Sequence, residues 1–211
     1  GLIEKSINFG QVIGIHSKLI KISDNLINLL SSNKIVDTSY LTVSVDGGDD
    51  KSYNMAHSLK PNVKVYNRVI ENIKKITSNS KNNSIKLDVS SNYLVTNVNC
   101  SKDEVSKGID NLIEAGVDSI RFSFPQLPRG IDKHEGTIIP NREQVKKIYA
   151  DIKPVIDQYK DGKTKVILID YDADKQINEA RTLPCFSRFI YPAISYDGYL
   201  SNCSQSAATH F

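Results

Sequence analysis

Tyr40-Leu41-Thr42-Val43-Ser44-Val45-Asp46-Gly47-Gly48 alternates apolar Leu41, Val43 and Val45 with polar Thr42, Ser44 and Asp46, and then breaks at two glycines. That is the period of a strand with one dry and one wet face, stopped by a turn. The pattern returns. Ile85, Leu87 and Val89 alternate with Lys86, Asp88 and Ser90 in a strand running toward Tyr93, and Ile120, Phe122 and Phe124 alternate with Arg121 and Ser123 over Ser119 to Phe124. Gln11 to His16 reads as a strand before these and Lys165 to Asp170 as one after them, the last with an all-apolar centre, Val166 to Ile169.

Helical spacing fills the intervals. Ser23 caps a helix to Ser32 with Leu26, Ile27, Leu29 and Leu30 on its face, and Asn62 to Thr77 carries Val65, Val69, Ile73 and Ile76. Ser101-Lys102-Asp103-Glu104 is a capping box for a helix that reaches Ala115 and closes at Gly116, and Asn141 to Tyr159 forms a long helix. Strand and helix in this alternation predict a parallel α/β sheet or barrel with right-handed crossovers. Because helices cover one face, the polar residues must line the other, and a filled eight-stranded barrel would carry branched apolar residues there. The expectation is therefore an open, partial (β/α) barrel whose concave face binds a polar ligand. An antiparallel sheet with one wet face would show the same alternation.

Composition narrows the class without naming a ligand. The 211 residues are 39% hydrophobic and 24% charged, with a net charge of +3 spread along the chain, which gives no argument for nucleic acid or an acidic membrane surface. No apolar run approaches the ~20 residues of a membrane span. Three cysteines suit a reducing cytoplasm and metal or redox chemistry better than a disulfide framework. Position 1 is Gly and the chain stops 8 residues past Cys203, so a piece of a longer protein is expected.

Two of the cysteines frame a hairpin. Ile190, Pro192 and Ile194 lead into Asp197-Gly198, and Tyr199 and Leu200 lead out, with 12 residues between Cys185 and Gly198 and 4 between Gly198 and Cys203. Two thiols at the open end could serve a soft metal or an iron–sulfur cluster, or be two buried structural cysteines. Cys100 reads as structural, and His57, His134 and His210 as surface residues without metal-ligand spacing. Asp170 and Asp172 read as a solvated turn. Arg129 and His134, in the long loop after Pro125, are candidate substrate contacts. At the strand end Ser44 and Asp46 project to one side, where the carboxylate suits a ribose hydroxyl pair and Gly47-Gly48 would let the backbone approach a ligand.

The order of these motifs resembles the radical S-adenosylmethionine (radical SAM) enzymes over nearly the whole chain. Val12 to Ile20 is similar to the third strand of their partial barrel, with His16-Ser17-Lys18 where Thr-Asn-Gly is usual. Ser44-Val45-Asp46-Gly47 resembles the fourth-strand Ser-x-Asp-Gly, Asn92 to Asn97 the fifth strand and its exit, and Val117 to Phe124 the sixth. The cysteine hairpin resembles the start of a SPASM or twitch auxiliary-cluster module. The resemblance implies an incomplete barrel over 1–180, lacking its N-terminal strands, and a truncated module over 181–211. It implies S-adenosylmethionine contacts at His16, Ser44, Asp46, Ser90 and Asn92, and auxiliary-cluster ligands at Cys185 and Cys203.

It further implies an enzyme in which a [4Fe–4S] cluster cleaves S-adenosylmethionine reductively to a 5′-deoxyadenosyl radical that abstracts hydrogen from a peptide, protein or small-molecule substrate. Flavodoxin or ferredoxin would supply the electron. The CxxxCxxC loop that holds such a cluster is absent from these residues, so the chain alone should be inactive. Two alternatives stand beside it. One is a barrel aldolase or lyase using Lys86; the other is a non-catalytic barrel that only binds.

Overall fold

The computed structural model describes residues 1–125, 138–169, 193–194 and 198–201. The chain divides into two units, Gly1–Tyr171 and Asp172–Phe211. In the first, α1 (Leu2–Asn8), β1 (Gly14–Ser17), α2 (Asp24–Leu30), β2 (Tyr40–Ser44), α3 (Asp50–Ala56), α4 (Val65–Asn82), β3 (Asp88–Leu94), α5 (Lys102–Glu114), β4 (Ser119–Ser123), α6 (Arg142–Asp157) and β5 (Lys165–Leu168) follow in order. The second contributes β6 (Ala193–Ile194) and β7 (Leu200–Ser201).

The 5 strands of the first unit lie side by side in chain order, and every neighbouring pair is parallel. This excludes the antiparallel sheet. One face is the core: Leu41, Val43, Val89, Tyr93, Ile120 and Phe122 are buried in a cluster with Val69, Ile73 and Ile76 of α4, Val105, Ile109 and Leu112 of α5, and Ile152 of α6. The sheet does not close among the described residues, which leaves the opposite face open.

Strand ends differ from the expected ones for local reasons. β2 stops at Ser44, yet Val45 N still donates to Asn92 O at 2.9 Å. One step on, the Asp46 carboxylate takes the next donor of the neighbouring strand, Leu94 N, at 2.7 Å. A side chain thus completes the ladder where the backbone turns away. β1 begins at Gly14, where the Tyr40 ring leaves no room for a side chain: a Cβ there would come within 2.4 Å of it.

Two helices were not anticipated, α1 and α3. The second starts directly after the glycines, where Asp49 accepts from Ser52 N at 2.9 Å and so caps it. Asp49 also meets Lys107 of α5 at 2.7 Å. Next to it, Asp50 accepts from Tyr66 N at 2.9 Å, satisfying an orphan donor in the first turn of α4. A single acidic pair therefore starts two helices.

In the second unit β6 and β7 pair antiparallel, Ala193 with Ser201 and Ile194 with Leu200, and Gly198 takes φ +88° between them. The expected hairpin forms with its glycine in the left-handed turn position.

Burial raises the Asp49 carboxyl, but bonds to Lys107 and Ser52 outweigh it, and the net effect is a lowered pKa. Stability from this group should thus be present above the ordinary carboxylate range and be lost as pH falls through the depressed value. Asp49→Ala should cost about 1 kcal/mol near neutral pH, as for other helix caps, and progressively less in acid. Urea denaturation at several pH values measures it; a cost that persists unchanged at low pH would contradict the assignment.

Candidate functional site

Alternation turns one row of each strand away from the helices. Register places His16, Thr42, Ser90 and Ser119 side by side, and beyond them, toward the strands' C-terminal ends, Ser44, Asn92 and Arg121. Leu94 and Ser123 come next. Thr42 Oγ1 and Ser90 Oγ share a hydrogen bond of 3.0 Å. His16 is exposed and sets its ring edge-on to Tyr40, with centroids 5.6 Å apart. Ser44 and Asn92 are half-buried and Arg121 exposed, and their side chains make no hydrogen bond among the described residues. The open face therefore offers hydroxyl, amide and guanidinium groups in adjacent strands, the kind of surface that a polar ligand needs.

Asp46 is more deeply placed than its neighbours, 8% exposed. Oδ1 accepts from Leu94 N, and Oδ2 lies 3.1 Å from His57 Nε2. His57, expected at the surface, is instead mostly buried against Tyr53, with ring centroids 4.4 Å apart. Its Nδ1 meets Lys18 Nζ at 3.3 Å. Burial and the Asp46 charge push the Tyr53 hydroxyl up to about 12, so it stays protonated beside them.

Behind this site stands Asn99, fully buried. Its Oδ1 accepts from Thr96 N and Oγ1 at 2.7 and 3.0 Å, and its Nδ2 donates to Asp46 O and Leu94 O, each at 3.0 Å. Tyr93 donates its hydroxyl to Asn99 O at 2.7 Å. One amide thereby locks the ends of β2 and β3 together.

Gly47 and Gly48 make their close approach to the protein itself and not to a ligand, which corrects the expectation from sequence. A Cβ on Gly47 would lie 2.6 Å from Tyr53 N, and one on Gly48 2.6 Å from Glu104 O. Gly48 N donates to Glu104 Oε1 at 2.5 Å, and Ser52 Oγ bonds to the same oxygen. Any side chain here would push α3 or α5 off the sheet.

Lys86 is also corrected. It precedes β3, is largely exposed, and pairs with Asp37 at 2.9 Å, far from a buried Schiff-base position. The lysine-based aldolase reading loses its residue. Cys100 is half-buried against the core, as expected of a structural residue, and borders a groove of about 420 Å³ that includes Asn97, Ser101, Glu104, Lys147 and Asp151. Among the described residues no three His, Cys, Asp or Glu converge as a metal site, and no helix is long and apolar enough to cross a membrane. Cys185, Cys203, Arg129, His134, Asp170, Asp172 and His210 lie outside the described residues.

No protein-family model matches the chain, and no curated protein does. Among solved structures, that of Streptococcus suis SuiB matches all of the chain at 15% identity and a TM-score of 0.64, over 47% of its own length. The fold is an open, partial (β/α) barrel of the kind seen in SuiB. Two further SuiB structures match the whole chain at 14% identity. The one bound to S-adenosylmethionine has a TM-score of 0.64, and the one bound to the precursor peptide SuiA a score of 0.62. The chain thus spans about half the length of SuiB, and at this identity the likeness is one of architecture.

Burial pushes the Cys100 thiol up, which lowers its thiolate fraction near neutral pH. Cys100 in the native protein should therefore react several-fold more slowly with iodoacetamide than in urea. Peptide mapping by mass spectrometry reads it, and equal rates would contradict the placement.

Proposed function

We propose that this chain is part of a radical SAM enzyme: a barrel portion, 1–180, and the start of an auxiliary-cluster module, 181–211. The observation that carries the reading is the open polar face at the C-terminal halves of β1 to β4, on a fold whose solved relative has been seen with S-adenosylmethionine. Ser44 and Asn92 fit such a ligand, because their polar groups are accessible and not already bonded among the described residues. Ser90 and His16 extend the same surface, and Asp46 stands at its edge with Oδ2 only lightly engaged.

When bound, S-adenosylmethionine and a [4Fe–4S] cluster would supply a radical able to take a hydrogen atom from substrate. What these residues do is narrower. Ser44 and Asn92 orient the ligand along the strand ends, and the turn locked by Asn99 keeps them in register. Cys185 and Cys203 would hold an auxiliary cluster. A peptide or protein is the favoured substrate, since a SuiB structure contains a precursor peptide. The reading places the protein in the cytoplasm, with a flavodoxin or ferredoxin as electron donor.

Ser44→Ala or Asn92→Ala in the intact protein should weaken S-adenosylmethionine binding several-fold, about 1 kcal/mol per lost hydrogen bond. The melting temperature should change little, because neither side chain bonds within the described fold. Calorimetric titration decides it: unchanged affinity in both variants would reduce the strand-end motif to a turn. Replacing both Cys185 and Cys203 by Ala should lower the iron content by about one cluster. Iron equal to wild type would make the pair structural.

A further inference from the structure

The residues that set Asp46 were invisible as a group in the sequence. His57 follows α3, 11 positions after Asp46, and Lys18 is the first residue beyond β1, ending the tripeptide His16-Ser17-Lys18. Ser17 Oγ accepts from Leu19 N at 3.0 Å in the turn that carries Lys18. An ammonium group can only donate, so the 3.3 Å contact from Lys18 Nζ leaves Nδ1 of His57 without a proton. The single proton of the neutral ring then sits on Nε2, and Nε2 is the atom that faces Asp46 Oδ2 at 3.1 Å. That contact lacks the alignment of a full hydrogen bond. Oδ2 can therefore accept a second donor, while Oδ1 stays fixed on Leu94 N.

We propose that His57 is a positioning residue for the ligand site: Lys18 fixes its tautomer, and the Nε2–H dipole facing Oδ2 of Asp46 at 3.1 Å biases that oxygen toward the orientation that receives one hydroxyl of a vicinal pair. The inference rests on the reading of the concave face as an S-adenosylmethionine site, whose ribose supplies such a pair. It makes the tripeptide that closes β1 and the Ser-x-Asp-Gly segment that closes β2 parts of one device. A purely structural His57 would serve as well in either tautomer, and its ring would not sense the ligand.

The test uses the intact protein labelled with ¹⁵N in its imidazoles. The ligand-free spectrum should show His57 with its proton on Nε2, and Lys18→Met should abolish that preference without moving the melting temperature. Adding S-adenosylmethionine should shift the Nε2 resonance. In calorimetric titrations His57→Gln, which retains an N–H donor toward Asp46, should bind within about threefold of wild type, and His57→Leu about tenfold more weakly. If the Leu variant does not fold, Lys18→Met carries the binding test, with weaker affinity expected. A proton on Nδ1, or wild-type affinity in a folded Leu variant or in Lys18→Met, overturns the proposal. Failure of the wild-type protein to bind S-adenosylmethionine at all overturns the cofactor reading itself, and is told apart from these outcomes because no variant is needed to see it.

Discussion

The buried Asn99 amide is the constraint on which the site depends. It joins the carbonyl of Asp46, just past β2, to that of Leu94 at the end of β3, and returns to Thr96 in its own turn. A buried amide satisfied at both ends is stabilising, whereas its removal would leave several backbone groups without partners, each costing about 1–3 kcal/mol. Because Tyr93 closes the same knot from the core side, packing of the dry face and geometry of the wet face are coupled through one residue. The strand ends are held by hydrogen bonds, and the loops beyond them can vary.

A second constraint follows from the glycines. α3 and α5 reach the strand ends only because Gly47 and Gly48 present no Cβ, and Glu104 then bonds both Gly48 N and Ser52. That contact fixes where α3 starts, and His57, at the far end of this 7-residue helix, lies over Asp46. Backbone proximity near a ligand site is easily taken for a ligand cradle. Here its cause is helix packing, and the polar side chains on the open face are left as the groups able to meet a ligand.

The strands were legible because period-2 alternation over Leu41 to Asp46 and Ile120 to Phe124 admits one arrangement once helices intervene. The helices at Ser23, Ser101 and Asn141 were legible from their caps, each of which accepts from the N–H three residues on. What was not legible depends on distance in sequence. α3 is 7 residues long, too short for periodicity, and its Asp49 cap lay next to glycines that read as a turn. Asn99 and His57 carry no local signal, since their partners lie up to 53 positions away. A polar residue's task shows only when the fold supplies its neighbours. An asparagine three residues past a strand-end threonine, able to satisfy that turn, is the one cue that could have singled out Asn99.

The central claim is that ligand binds the open face at the C-terminal ends of β2 and β3. Hydrogen–deuterium exchange of the intact protein with and without S-adenosylmethionine tests it most directly, because backbone amides there report ligand contact without any substitution. The account predicts added protection over residues 42–48 and 90–99, with little change in the surface turns of α4. Protection confined to the groove between the start of α5 and α6, or no change at the strand ends under saturating ligand, would contradict it.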